Sequence, residues 1–155
     1  MELKACVSGE GKQPQTIADG TATSFTLTPD AHYRIDTVSG CNGTLQGQVY
    51  TTAAISADCT VTAAFAPITH VVTPQAGAGG TIAPDLPQTI DEGTSTSFTL
   101  TPDAGQVIDQ VSGCGGVLAG ATYTTAPIAT DCTVSVTFVL DPDLIFRNGF
   151  DAVTH

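Results

Sequence analysis

The stretch SGCNGTLQGQVYTTAAISADCTV (Ser39–Val61) decides the fold, because a close copy of it, SGCGGVLAGATYTTAPIATDCTV (Ser112–Val134), follows 73 residues later. The similarity extends outward from this stretch on both sides. Pro14–Phe65 aligns with Pro87–Phe138 without a gap, and 34 of the 52 aligned residues are identical. Self-similarity of this extent indicates two copies of one structural unit.

The repeat divides the chain of 155 residues into two modules and a tail. We predict a first repeat module at residues 1–66, a second at residues 67–140 and a C-terminal strand or hairpin tail at residues 141–155. Each module then holds about 70 residues, a size at which a hydrophobic core alone gives only marginal stability.

Apolar and hydroxyl residues alternate within each copy, which is the pattern of half-buried strands. The chain also holds 26 Thr, 16 Gly and 9 Pro, a mixture of strand-forming and turn-forming residues. The residues predicted to face the core are Phe25, Leu27, Val61, Ala63 and Phe65 in the first copy and Phe98, Leu100, Val134, Val136 and Phe138 in the second. We therefore predict an all-β protein of two tandem, antiparallel, sandwich-like modules.

The charge of the chain excludes two classes of partner. Its net charge is −11, since 15 acidic residues face only Lys4, Lys12, Arg34 and Arg147. So few cations cannot neutralise a nucleic-acid backbone or an anionic membrane surface. No apolar run approaches the roughly 18 residues that a membrane-spanning helix needs, so membrane insertion is not expected.

Four of the five cysteines repeat at one spacing of 18 residues. We predict two disulfides, Cys41–Cys59 and Cys114–Cys132, each of which stabilises its module by about 3 kcal/mol. A metal site is the competing interpretation, but the spacing is not C-x-x-C, and neither His32 nor His70 has a counterpart in the other copy. A catalytic thiol is disfavoured because no histidine lies near the cysteines in sequence. Disulfides indicate an oxidising compartment, so we predict an extracellular or cell-surface protein.

Cys6 has no repeated partner, and the 73-residue offset aligns it with Gly79. Three interpretations stay open for this residue. It is a free thiol, a link to another chain, or half of a bridge whose partner lies upstream.

The run GTSTSFTLTPDAGQVIDQVSGCGGVLAGATYTTAPIATDCTVSVTF (Gly93–Phe138) resembles the divergent internalin B-repeat family of bacterial secreted and surface proteins. The resemblance covers about residues 16–65 and 68–138. It implies a non-catalytic module of a stalk, of an adhesin or of the tail of a secreted enzyme.

The ends of the chain depart from the repeat. By the 73-residue offset the counterpart of Thr69–Thr73 would precede Met1, so the first module is predicted to lack its first strand. The tail carries apolar residues, Leu144, Phe146 and Phe150, that suit a donor strand. One hypothesis is that the tail adds to the open sheet edge of the next molecule's first module, giving a head-to-tail filament. The favoured interpretation is that the missing strand lies upstream and that the tail folds back as a hairpin on its own module.

The sequence also lacks the signatures of an enzyme. Neither a repeated pair of acids nor a Gly-x-Ser-x-Gly motif is present, and no cofactor or metal is expected. We predict a non-catalytic structural protein, namely an adhesin stalk, a spacer or a filament subunit. The alternative is a carbohydrate- or surface-binding accessory module of a secreted enzyme. That alternative is disfavoured because the chain has no Trp, and because Tyr50 and Tyr123 are expected to pack near the bridges, which leaves Tyr33.

Overall fold

The computed structural model describes the backbone of residues 2–8 and both backbone and side chains of residues 14–143. The chain divides into two compact units, Met1–Ile68 and Thr69–His155, two residues beyond the boundary that the repeat suggests. We call them the first and the second module and describe each by itself.

Strands dominate both modules. Those of the first module are β1 (Glu2–Ser8), β2 (Gln15–Ala18), β3 (Ser24–Thr26), β4 (Tyr33–Ser39), β5 (Thr44–Gln46), β6 (Val49–Thr51) and β7 (Cys59–Pro67). Those of the second module are β8 (Thr69–Ala76), β9 (Gly80–Ala83), β10 (Gln88–Asp91), β11 (Ser97–Pro102), β12 (Gln106–Ser112), β13 (Val117–Ala119), β14 (Thr122–Thr124) and β15 (Cys132–Leu140).

The second module consists of two four-stranded sheets with one core. One sheet has the order β10-β8-β15-β12 and the other the order β13-β14-β11-β9. Alternating apolar residues from both sheets form the core, as the period of two predicts. Its most deeply buried members are Val72, Phe98, Leu100, Val134 and Val136.

The first module repeats this plan with one strand fewer among the described residues. Its larger sheet has the order β2-β1-β7-β4 and its smaller sheet the order β3-β6-β5. The core contains Phe25, Leu27, Tyr50, Ile55 and Val61. The prediction of an all-β protein with two tandem modules is confirmed.

Each module also contains one parallel pair of strands within otherwise antiparallel sheets. β1 runs parallel to β7, and β8 runs parallel to β15. The first and last strands of a module are therefore hydrogen-bonded neighbours. Alternation of apolar residues specifies which face of a strand is buried but not its direction, so the sequence pattern did not reveal this pair.

The prediction that the first module lacks its first strand is wrong. β1 pairs with β7 so that Ala5 lies opposite Cys59, and β8 pairs with β15 so that Val72 lies opposite Cys132. The two first strands are thus equivalent at an offset of 67 residues rather than 73. The offset changes because 5 residues separate Ser8 from Pro14, whereas 11 separate Gln75 from Pro87. By the same register Cys6 corresponds to Thr73 and not to Gly79.

The shorter connection explains a second difference from the predictions. Phe65 was expected in the core, but 37% of it is exposed, whereas only 9% of its counterpart Phe138 is exposed. In the second module β9 pairs with β11 and passes over Phe138. Among the described residues of the first module, none pairs with the corresponding outer edge of β3.

Candidate functional site

A cross-linked turn is the most distinctive local structure of each module. We call residues 40–43 and 113–116 the bridged turns. Cys41 of the first turn is bonded to Cys59, the first residue of β7, with a Cα–Cα distance of 5.5 Å. Cys114 of the second turn is bonded in the same way to Cys132, the first residue of β15, at 5.6 Å. Both predicted disulfides are confirmed, and their sulfur atoms bond each other rather than a metal ion.

In each module a buried tyrosine, from β14 or β6, ties the bridged turn to the sheet that contains that strand. Tyr123 is only 3% exposed, and its hydroxyl donates to the Gly113 carbonyl oxygen at 2.6 Å and accepts from the Gly116 N–H at 3.0 Å. In the first module Tyr50 is 2% exposed, and its hydroxyl donates to the Gly40 carbonyl oxygen at 2.7 Å. Burial of these two rings beside the bridges confirms the expectation and removes them as binding surfaces.

Two buried threonines were not singled out from the sequence. Thr52 and Thr125 are each 4% exposed. Their hydroxyls accept from the N–H groups of Thr23 and Thr96, both at 3.0 Å, and so fix the connection that leads into β3 and β11. Both copies have a threonine at this position, which was the available signal in the sequence. Repetition alone does not identify a buried residue, because an exposed threonine of a strand is repeated in the same way. A buried hydroxyl costs stability unless it is paired, and these are paired.

One histidine of the second module lies between two carboxylates. His70 Nε2 is 3.0 Å from Glu92 Oε2, and His70 Nδ1 is 3.6 Å from Asp131 Oδ1. Asp131 Oδ1 also accepts from the Val71 N–H at 2.8 Å. His70 belongs to β8. The three side chains link β8 to the residue after β10 and to the residue before β15.

The competing interpretation of a metal site can be checked in the part of the chain that the structure describes. No group of three or more His, Cys, Asp or Glu side chains there is placed to hold a metal ion. Asp141 and Asp143, which flank a proline, interact locally, since Asp141 Oδ1 accepts from the Asp143 N–H at 2.9 Å. The described residues also contain no helix that is long and apolar enough to cross a membrane.

Cys6 and the predicted strand donor can be placed only in part. The backbone of Cys6 lies in β1 opposite Thr60, and its thiol lies outside the described part of the structure. Leu144, Phe146 and Phe150 also lie outside the described residues.

Comparison with protein families decides what the two modules are. The profile of the divergent InlB B-repeat domain matches residues 3–69 and again residues 70–142. The chain belongs to this family. Each match coincides with one module to within a few residues, so each module is one InlB B-repeat domain. Comparison with curated proteins and with solved structures gives no match.

The two InlB B-repeat domains share the bridged turn, the tyrosine beneath it and the paired threonine. They differ at His70, whose position in the first domain is Leu3 by the register of β1 and β8, and at β9. The shared features therefore serve the fold of the repeat, and the differences mark where the two domains have separate properties.

Proposed function

We propose that the chain is a non-catalytic structural repeat protein of the bacterial exterior, which serves as a spacer or stalk. The observation that carries the proposal is the pair of InlB B-repeat domains, each closed by its own disulfide. A disulfide persists in an oxidising compartment, which supports a location outside the cytosol. Two copies of one module in tandem supply length, and the shared buried features described above all act on folding.

The charge of the surface supports a spacer rather than a binding protein. Residues 69–143 contain no Lys or Arg and eight Asp or Glu. A surface of one sign keeps protein molecules soluble and repels polyanions. The tyrosines point the same way: two of the three are buried, and Tyr33 alone is exposed.

Thiol labelling on intact cells that naturally produce the chain tests its location. A membrane-impermeant maleimide is expected to reach the chain on intact cells. Without reductant it is expected to label one cysteine at most, because the other four are bonded in pairs. After denaturation and reduction all five cysteines are expected to react. A chain that is protected until the cells are lysed, and that then shows five reactive thiols without reductant, would contradict the proposal.

Polysaccharide affinity electrophoresis separates the spacer from the alternative binding module. A spacer is expected to migrate equally with and without soluble polysaccharide in the gel. Retardation that is lost in Tyr33→Ala would instead favour the accessory-module function.

We also propose that copies of the chain associate head to tail, with residues 144–155 of one molecule adding as a strand to the first module of the next. The apolar residues of this tail support the proposal, as do the sheet edges of the first module. The position expected for the acceptor, that of a missing first strand, is filled by β1. The acceptor is therefore to be sought at another edge.

Light scattering coupled to size exclusion tests this assembly. The full chain is expected to show a mass that rises with concentration, and the variant that ends at Asp143 is expected to remain a monomer. Equal masses for the two chains at every concentration would exclude association through the tail.

A further inference from the structure

The two domains differ in one strand, and the second domain shows what that strand does. β9 pairs antiparallel with β11, with Ile82 opposite Leu100 and Gly80 opposite Pro102. The Ile82 side chain is 5% exposed and belongs to the core. Gly80 lies directly against the Phe138 ring, because a Cβ on this residue would be 2.6 Å from Cε1 of the ring. β9 therefore fills the core with one aliphatic side chain and covers Phe138 with backbone.

Among the described residues of the first domain, no strand pairs with the corresponding edge of β3. Leu27 N–H donates to the Gln48 carbonyl oxygen at 2.8 Å, as Leu100 N–H does to Ala121. Alternate residues of a strand direct their N–H and C=O groups to opposite sides, so Thr26, the last residue of β3, directs its groups away from β6. This is the side that β9 occupies in the second domain. Thr28 follows β3 and is the counterpart of Thr101, which belongs to β11. An edge of this kind is a template for another strand.

The sequence between β1 and β2 lacks the pattern of β9. Residues 9–13, between Ser8 and Pro14, have the sequence GEGKQ, six residues fewer than residues 76–86 between Gln75 and Pro87. None of residues 9–13 is apolar, so none supplies a side chain equivalent to Ile82. The greater exposure of Phe65 is the direct consequence, since its counterpart Phe138 is covered by Gly80.

We propose that the first domain is a strand-acceptor site for a second polypeptide, which adds antiparallel along Ser24–Pro29 with a glycine over Phe65 and a β-branched aliphatic residue beside Leu27. The partner is defined by this chemistry, namely an extended segment with the pattern glycine, any residue, isoleucine or valine. Main-chain hydrogen bonds supply affinity in such β-augmentation, and the alternate side chains supply specificity. The site is a property of the first domain alone and holds whether or not the chain is a spacer.

The pattern follows from the second domain, position by position. Glycine is required opposite Pro29 because a side chain on its counterpart Gly80 would overlap the ring of Phe138, and Phe65 is the residue equivalent to Phe138. An aliphatic residue is required two positions later because it enters the core between the sheets. The C-terminal tail does not carry the pattern, since Gly149 is followed two residues later by Asp151.

The chain itself provides the probe for a binding experiment. A synthetic peptide with the sequence GAGGTIAPD, which is that of Gly77–Asp85, is titrated into the ¹⁵N-labelled full chain and followed by NMR. Saturable shifts are expected at Thr26, Thr28 and Phe65, with a dissociation constant on the order of 1 mM, because a short strand gains little beyond one buried side chain. Thr99, Thr101 and Phe138 are the internal control and are expected not to shift, because β9 already occupies that edge.

Three matched probes make the result decisive. The peptide with I82D is expected to bind about tenfold more weakly or worse, because it places a carboxylate in an apolar site. The peptide with G80V is expected to lose binding to a similar degree through the clash with Phe65. A peptide of residues 144–155 is expected not to bind at this edge. Three results would each overturn the proposal. They are equal binding by the I82D peptide, stronger binding by the tail peptide, and no saturable shift at a peptide concentration about ten times the expected dissociation constant.

A graft in the full chain tests the same site without relying on a weak peptide. Residues 9–13 are replaced by a copy of the sequence AGAGGTIAPDL of residues 76–86. The graft is expected to protect the amides of Thr26 and Thr28 from hydrogen exchange and to abolish binding of the peptide. The same graft with the I82D change in the inserted copy is the control and is expected to leave both amides exchanging. A graft that folds but leaves the amides exchanging as in the unaltered chain would contradict the proposal.

Discussion

Gly113→Ala is expected to destabilise the second module by on the order of 4 kcal/mol. Gly113 has φ of +111°, a conformation that residues with a side chain rarely adopt. A Cβ at this position would also overlap the Thr133 carbonyl oxygen, which belongs to β15 and cannot move without disturbing the sheet. The substitution therefore adds a backbone clash to conformational strain at the residue next to the bridge.

Urea unfolding followed by circular dichroism measures the loss, and hydrogen exchange with mass spectrometry assigns it to one module. Gly40→Ala is the equivalent change in the first module, where the Cβ would overlap the Thr60 carbonyl oxygen. The matched control is Gly120→Ala. Gly120 has φ of +60° and nothing within 4 Å of an added Cβ, so about 1 kcal/mol is expected. Equal losses for Gly113→Ala and Gly120→Ala would show that the clash is relieved at little cost.

Removal of the second disulfide by the double change Cys114→Ala and Cys132→Ala is expected to cost about 3 kcal/mol. The bond closes a loop with a sequence separation of 18, and opening it restores that freedom mainly to the unfolded chain. Alanine is the suitable replacement because both cysteines pack against the apolar core. Hydrogen exchange is expected to rise across the second module and to stay unchanged in the first.

The reciprocal pair, Cys41→Ala with Cys59→Ala, is the control for this experiment. It is expected to raise exchange in the first module only, because each bridge lies within its own module. A rise in both modules from either pair would mean that the two modules unfold as one unit. No rise from either pair would mean that the cores suffice without the bridges.

The sequence predicted the parts of the fold that depend on local pattern. Alternation placed Phe98, Leu100 and Val134 in the core, because the side-chain period of a strand is two regardless of its neighbours. The repeated cysteine spacing predicted both disulfides, because two copies of one structural unit are expected to form the same bond. These inferences needed no knowledge of which strands are adjacent.

The errors all concern which strands lie next to each other in the fold. β1 was missed because a connection shorter by six residues shifts the alignment at the start of the chain. Phe65 lies on the predicted face of its strand but is exposed, since burial also requires a covering strand. The hydrogen bond from the Tyr123 hydroxyl to Gly113 joins β14 to the bridged turn that follows β12, and no local sequence pattern encodes it. The candidate acceptor edge follows from these misses, because it is visible only when the two modules are compared in space.

The parallel neighbours at the start and end of each module have a mechanical consequence. In the second module β8 enters from the N-terminal side and β15 leaves toward the C-terminal side, and the two lie side by side with Val72 opposite Cys132 and Ala76 opposite Val136. Tension on the two ends of the module pulls these strands in opposite directions along their common axis. The load is then shared by all the hydrogen bonds of the pair at once, instead of opening them one after another. A module whose first and last strands are parallel neighbours therefore resists unfolding when its two ends are pulled apart.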